Sequence, residues 1–174
     1  PNGDETFEKF YNSIFNTNAI IGNIDNAIGD VLDEAIVRQT RDHIKGEAYA
    51  LRAFRYFYLV NMYAAPYDPA TCEKEPGIPI NLEMTAEDKA YHRSSLKVVY
   101  EQIVDDLEKA IPLLENNPMD TDKTRFSALA AKALLAKVYL YMQEWDLAIE
   151  QAEKVIKANP ALFDLRDAGE NPVI

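Results

Sequence analysis

Two stretches of this chain repeat one another: Leu51-Arg52-Ala53-x-x-Tyr56-Phe57-Tyr58 and Leu134-Leu135-Ala136-x-x-Tyr139-Leu140-Tyr141. A helix-spaced motif that recurs, each time followed by a second amphipathic segment, restricts the fold to stacked helical hairpins, because each unit buries its apolar face only against its neighbours. The following segments also align: Tyr100-x-x-Ile103-x-x-x-Leu107-Glu108-Lys109-Ala110-Ile111 runs parallel to Trp145-x-x-Ala148-x-x-x-Ala152-Glu153-Lys154-Val155-Ile156. The first motifs lie 83 residues apart and the second ones 45, so the earlier hairpin carries an insertion of 38 residues. Function is to be sought there, since long irregular connections in compact domains are more often functional than accidental.

At 174 residues, with 48% hydrophobic and 27% charged side chains and only six glycines, the chain reads as one helical domain over 1–174 that needs no disulfide or metal to hold it. The formal net charge of −11 argues against nucleic acid and anionic lipid, both of which would repel such a surface. A single cysteine, Cys72, excludes an internal disulfide and a thiolate zinc cluster. No stretch approaches the roughly twenty apolar residues of a membrane span. Because residue 1 is Pro1 and not methionine, the expectation is a piece of a longer precursor, with any leader or lipid-bearing cysteine upstream.

Along the chain, Phe7, Tyr11, Ile14, Phe15, Ile21, Ile24 and Ile28 form the stripe of a first helix over residues 5 to about 28. Gly29-Asp30 weakens it, and a second periodic segment from about Leu32 to Ile44 makes a shorter helix or leads straight into the next. From Gly46 to Tyr63 nearly every face is apolar or aromatic, the pattern of a central buried helix. Arg52 and Arg55 lie inside it, and each must find a carboxylate or a carbonyl, because an unpaired buried charge costs several kcal/mol. A helix from Leu96 to Leu114 follows, capped by Ser94 or Ser95, and Ser127 caps an alanine-rich helix ending near Met142. After a turn at Gln143-Glu144, a last helix runs from Trp145 to about Ala158, where Asn159-Pro160 stops it. This hairpin fits the tetratricopeptide pattern at Leu135-Ala136, Tyr139, Ala148 and Pro160, although Lys132 and Ala152 stand at its tryptophan and phenylalanine positions. Residues 162–174 have no clear period.

The insertion, about 64–93, holds Pro66, Pro69, Pro76, Pro79 and Gly77, which rule out a regular helix. It also brings Tyr63, Tyr67, Asp68, Tyr91 and Arg93 into one stretch. Tyrosines beside carboxylate and guanidinium groups suit a neutral polyhydroxylated ligand, since rings stack on the apolar faces of sugars and polar groups take the hydroxyls. The same residues also make ordinary packed connections, and Tyr63 can belong to the core.

Catalytic patterns are weak. His43 and His92 are isolated, with neither HExxH nor Glu-x-x-His spacing for a metal, and no cofactor motif or phosphate-binding glycine loop occurs. The acidic pairs Asp105-Asp106 and Asp33-Glu34 read as solvated charge on polar helical faces, and no nucleophile-elbow glycines flank any serine. The residues point to a binding protein, not an enzyme.

In order along the chain stand Gly46-Glu47-Ala48-x-x-Leu51-Arg52-Ala53, Tyr56-Phe57-x-Leu59-Val60 with Tyr63, Pro76-Gly77-Ile78-Pro79-Ile80, and Arg93-Ser94. They continue through Tyr100, Ile103, Asp106-Leu107-x-x-Ala110, Arg125-x-Ser127, Ala130-Ala131, Leu134-Leu135-Ala136-x-Val138-Tyr139-Leu140, Trp145 and Ala148. With these elements the sequence resembles the SusD-like (RagB/SusD) outer-membrane nutrient-binding lipoproteins of Bacteroidetes. The resemblance implies an all-α fold of tetratricopeptide-like hairpins in a right-handed superhelix, in which Arg52, Tyr56 and Trp145 are structural motif residues. It further implies a surface-exposed lipoprotein that captures oligo- or polysaccharide and delivers it to a SusC-like TonB-dependent transporter, this part being mainly the scaffold that packs on the transporter. Membrane attachment would be through an upstream lipid anchor only. Family members are several times longer, so the chain resembles their N-terminal, repeat-bearing part. The rival reading is a tetratricopeptide-type scaffold that binds a peptide or protein partner.

Overall fold

The computed structural model describes residues 5–28, 33–84, 92–119 and 124–161. Within them the chain is all-α: α1 (Glu5–Asn23), α2 (Glu34–Tyr63), α3 (Leu96–Asn116), α4 (Ala128–Tyr141) and α5 (Trp145–Ala158). Each helix packs on the next in sequence, and α2 touches α1, α3 and α4, so the central place expected for it is the one it takes. The two repeated motifs are the hairpins α2–α3 and α4–α5. Only residues 142–144 join the second pair, whereas residues 64–95 join the first.

Side-chain caps set the starts of three helices. Asp33 accepts a hydrogen bond from the Ala35 amide at 2.9 Å, Ser95 from Val98 at 3.4 Å and Ser127 from Ala130 at 3.1 Å, each satisfying an amide that the first helical turn leaves free. One boundary differs from the sequence reading. The first helix ends at Asn23 and not near Ile28, giving way to a single 3-10 turn over Ile24–Asn26. Of the two readings of the segment that follows, it leads straight into the central helix, one helix continuous through Gly46. Gly46 sits where α2 lies close against α3: a Cβ there would lie 2.9 Å from Leu114 Cγ and 3.2 Å from the Ala110 carbonyl. The helix weakness of glycine is thus offset by a close approach that a larger residue would block.

The core runs through the stack. Ile14 of α1, Tyr56, Phe57, Leu59 and Val60 of α2, Val99, Tyr100, Ile103 and Leu107 of α3, Leu135 and Val138 of α4, and Ala148 of α5 are all buried. The insertion adds Cys72 and Ile78 to the same cluster. The α2 helix is not apolar-buried all round, since Tyr58 and Met62 form an exposed edge at 39% and 48%. Arg55 lies over the rings of Phe10 and Phe54.

Asp106 corrects the reading of solvated acidic pairs, for it has no exposed surface. Its two oxygens take Arg52 Nε at 2.8 Å and Nη2 at 2.6 Å, and Gln102 adds a donor at 3.0 Å. Arg52 therefore has the carboxylate that its burial demanded. Burial depresses the Arg52 guanidinium, but the hydrogen bonds and charge of Asp106 outweigh it and its pKa rises. Burial lifts the Asp106 carboxyl, and there the same bonds do not fully compensate. We take the pair as ionised, because both carboxylate oxygens accept N–H donors, and a carboxyl proton would face one of them.

Candidate functional site

Among its described residues, the insertion folds as two short pieces on the end of the α2–α3 hairpin. The first is a compact turn: the Asp68 carboxylate accepts from the Ala70 amide at 2.9 Å, and its carbonyl accepts from Thr71 and Cys72 at 3.0 and 2.8 Å. Asp68 thereby makes an Asx-type turn, the conformation its short acceptor favours. The turn closes the start of α3, where the Leu96 and Lys97 amides donate to the carbonyls of Glu75 and Cys72 at 2.9 and 3.1 Å. These are donors that a helix N-terminus must place somewhere.

The second piece is an extended strap over residues 76–84. Gly77 donates to the Ser94 carbonyl at 2.7 Å and Ser94 donates to Ile78 at 3.1 Å, pairing the strap with the lead into α3. A Cβ on Gly77 would stand 3.0 Å from the Ser94 carbonyl and 2.9 Å from Val99 Cγ2, which explains the glycine in the Gly-Ile-Pro element. Beyond Ile78 the strap crosses α1 and α2 on polar ties. Tyr11 Oη donates to the Pro79 carbonyl at 2.7 Å, and Tyr56 Oη donates to the Asn81 carbonyl at 2.7 Å while accepting the Asn81 amide at 2.9 Å. Asn18 Nδ2 donates to the carbonyls of Asn81 and Glu83 at 2.9 and 3.1 Å. Burial, and then the neighbouring Tyr56, holds the Tyr11 phenol well above the ordinary tyrosine value.

Of the five ligand contacts suggested by sequence, four lie within the described residues and Tyr91 lies outside them. Arg93 and Tyr63 come together through the backbone: Arg93 Nη2 donates to the Tyr63 carbonyl at 2.6 Å and its Nε to the Gly77 carbonyl at 2.5 Å. Arg93 thus ties the end of the insertion to its beginning and to the strap, and its side chain remains exposed. Tyr63, the last residue of α2, sets its ring edge-on to Phe7 at 5.2 Å. Tyr67 is half-buried 4.8 Å from the Tyr100 ring, and burial followed by its contact with Cys72 raises its phenol above the ordinary range. Asp68 is exposed at the turn. Arg52 and Tyr56 are buried, whereas Trp145, in the first turn of α5, is 55% exposed.

Sequence reasoning missed Asn18 and Tyr11, which hold the strap, and Asn81, the strap residue that Asn18 and Tyr56 engage. One signal was available, because Asn18 stands four residues after Ile14 on the stripe that α1 turns inward. A polar residue at an apolar position marks a buried partner. Elsewhere, a cleft of about 310 Å³ between α1, α2 and residues 124–126 has apolar walls from Ile20, Ile44, Leu51 and Phe126. Its one carboxylate, Glu47, is already engaged by Arg125. Among the described residues no cluster of three or more His, Cys, Asp or Glu is arranged to hold a metal, and no helix is long and apolar enough to cross a membrane.

The chain is similar to known proteins over nearly its whole length. The model of the SusD-like family, described as starch-binding and associating with the outer membrane, matches residues 3–140. SusD-like protein P25 of Formosa agariphila is 26% identical over 157 residues, which cover 90% of this chain and 27% of that relative. The solved SusD-like carbohydrate-binding protein of Bacteroides vulgatus superposes with a TM-score of 0.78 at 26% identity, covering 93% of this chain and 33% of that one. A laminarin-binding SusD-like protein does so with a TM-score of 0.67 at 31% identity, over 87% of this chain and 29% of its own. The chain therefore spans about a quarter of the length of the curated relatives it matches. With a family match running from the first helix through the repeated motif of α4, and the same stacked helices in the solved relatives, this chain belongs to the SusD-like family.

Proposed function

We propose that the protein of which this chain is part captures a glycan at the outer-membrane surface, as a lipid-anchored protein, and hands it to a SusC-like TonB-dependent transporter without cleaving it. The observation that carries this reading is the family match over residues 3–140, with its starch-binding, outer-membrane description. The laminarin-binding relative supports a polysaccharide as the cargo. The stacked hairpins serve chiefly as the scaffold that packs on the transporter, and the insertion contributes ligand contacts through Tyr63, Tyr67, Asp68, Tyr91 and Arg93. Tyrosine stacking and single hydrogen bonds give modest affinity, which suits a site that must release its cargo.

The test is affinity purification of the full-length protein from solubilised outer membranes, with laminarin and soluble starch titrated on the same sample. A co-purifying TonB-dependent barrel and saturable glycan binding are expected. Soluble protein partners with no barrel and no glycan binding would replace this reading with a peptide-binding scaffold. For the contacts, Tyr67→Ala and Asp68→Ala should weaken glycan binding, and unchanged binding in both would remove them from the site.

A further inference from the structure

The outer side of α5 lacks what the end of a helical stack needs. Trp145, Ile149, Ala152 and Ile156 fall at i, i+4, i+7 and i+11 and so share one face of the helix. The three large side chains among them are 55%, 56% and 64% exposed in that order. Ala148 is the residue that α5 buries, and among the described residues α4 is the one helix it packs on. A stack that ended here would carry polar residues on the outer face, because a terminal repeat has no neighbour to cover it. The charges of α5 lie elsewhere: Lys154 pairs with Glu150 at 2.7 Å on the opposite side of the helix from the stripe.

The other hairpin shows what covers such a face. At a constant offset of 45 residues, the repeat aligns Trp145 with Tyr100, Ile149 with Val104 and Ile156 with Ile111. In α3 those positions are enclosed: Tyr100 is 1% exposed, and Val104 and Ile111 are half-buried against the core. Phe57 and Tyr67 supply part of the cover on Tyr100, but Ile111 lines one groove with Leu135 of α4. The first helix of the next hairpin thus lies on α3, and among the described residues α5 has no such neighbour. The same offset puts a counterpart of α4 about 45 residues after it, beyond the described residues. Polypeptide for it is at hand, since the chain spans about a quarter of the length of its curated relatives. A second copy is a poorer fit, because two chains of net charge −11 repel.

We propose that the stripe of Trp145, Ile149 and Ile156 is the docking face for a helix of the same polypeptide, from the segment that follows residue 174, standing on α5 as α4 stands on α3. The inference rests on the chain being part of a longer protein and not on the glycan reading. It withdraws this stripe from the surface that the stacked hairpins offer to the transporter.

The test is hydroxyl-radical labelling of Trp145, read by mass spectrometry, in the full-length protein purified away from the transporter. A side chain 55% exposed should label at about half the rate of the urea-unfolded chain, and a covered one at roughly a tenth or less. The slower rate is expected, and it should persist on dilution. A photo-crosslinking amino acid in place of Ile149 should join residues beyond 174 of the same molecule. Ile149→Glu with Ile156→Glu should return Trp145 to about half the unfolded rate, while α3 amides keep wild-type hydrogen exchange. If that variant does not fold, Ile149→Ser is judged by the same criteria. Wild-type labelling near half the unfolded rate, or cross-links confined to residues 1–174, would overturn the proposal. So would protection lost on dilution with cross-linked dimers, which assigns the face to a second copy, or protection gained only with the barrel bound, which assigns it to the transporter. No glycan enters the assay, so a failure to bind laminarin or starch would count against the glycan reading alone.

Discussion

Replacing Asp106 with asparagine removes a buried anion and leaves its cation in place. The Arg52 side chain is 6% exposed, so water cannot take over from the carboxylate. One asparagine oxygen can still accept from Nε or Nη2, but the new amide group faces the other donor and Gln102 loses its ionised acceptor. Stranding a buried charge in this way costs about 3–5 kcal/mol. At roughly 2–4 °C per kcal/mol for a domain of this size, Tm should fall by about 6–20 °C. Arg52→Met should cost a similar amount, because it strands the carboxylate and also leaves Asn18 Oδ1 without its donor. The double variant Arg52→Met with Asp106→Leu removes both charges, and its loss should shrink to about 1–3 kcal/mol, from the Asn18 oxygen and imperfect packing. Urea unfolding followed by far-UV circular dichroism measures all four corners of the cycle. Single variants within about 1 kcal/mol of wild type, or a double variant losing the full sum of the singles, would refute the reasoning.

Alkaline pH should unfold the protein through its tyrosines. Burial, before any other cause, pushes Tyr100 and Tyr139 up to about 12, and Glu108 adds to the rise at Tyr139. Because the folded values are raised, the stability tied to these phenols is complete below the ordinary value of 10.0 and is lost as pH climbs through about 12. Phenolate absorbance and helix loss should then coincide, and ionisation near the ordinary value with helices intact would contradict it. Gln143, at the end of α4, has φ 64°, so Gln143→Gly should stabilise by roughly 1 kcal/mol in denaturant unfolding, and a loss of stability would show that its side chain matters more than its backbone. Gly46→Val should cost about 1–3 kcal/mol by crowding Leu113 and Leu114, and wild-type stability would deny the close approach of α2 and α3. Ser127→Ala should cost about 1 kcal/mol by freeing the Ala130 amide, and no change would remove the cap from the account.

The sequence alone determined what each segment is. The repeated motifs located both hairpins, the offset between them located the insertion, and the serines before α3 and α4 marked their starts, because periodicity and capping are read within a few residues. What Gly46 is for could not be read locally, since its use lies in contact with α3. Asp106 misled for the same reason, since beside Asp105 it looks solvated, and only the packing of α3 on α2 brings it to Arg52, 54 residues away in the chain.

The insertion shows the division most clearly. Its proline and glycine content excluded helix, and its tyrosines and Arg93 suggested ligand chemistry, but its path depends on Tyr11 and Asn18, which reach it across 68 and 63 residues of chain. Tertiary structure also decided that Arg93 spends two of its donors on the carbonyls of Tyr63 and Gly77 and that Asp68 shapes a turn. Composition shows which groups need partners, because a buried donor or charge without one is costly. Which partner it finds is a property of how the helices pack.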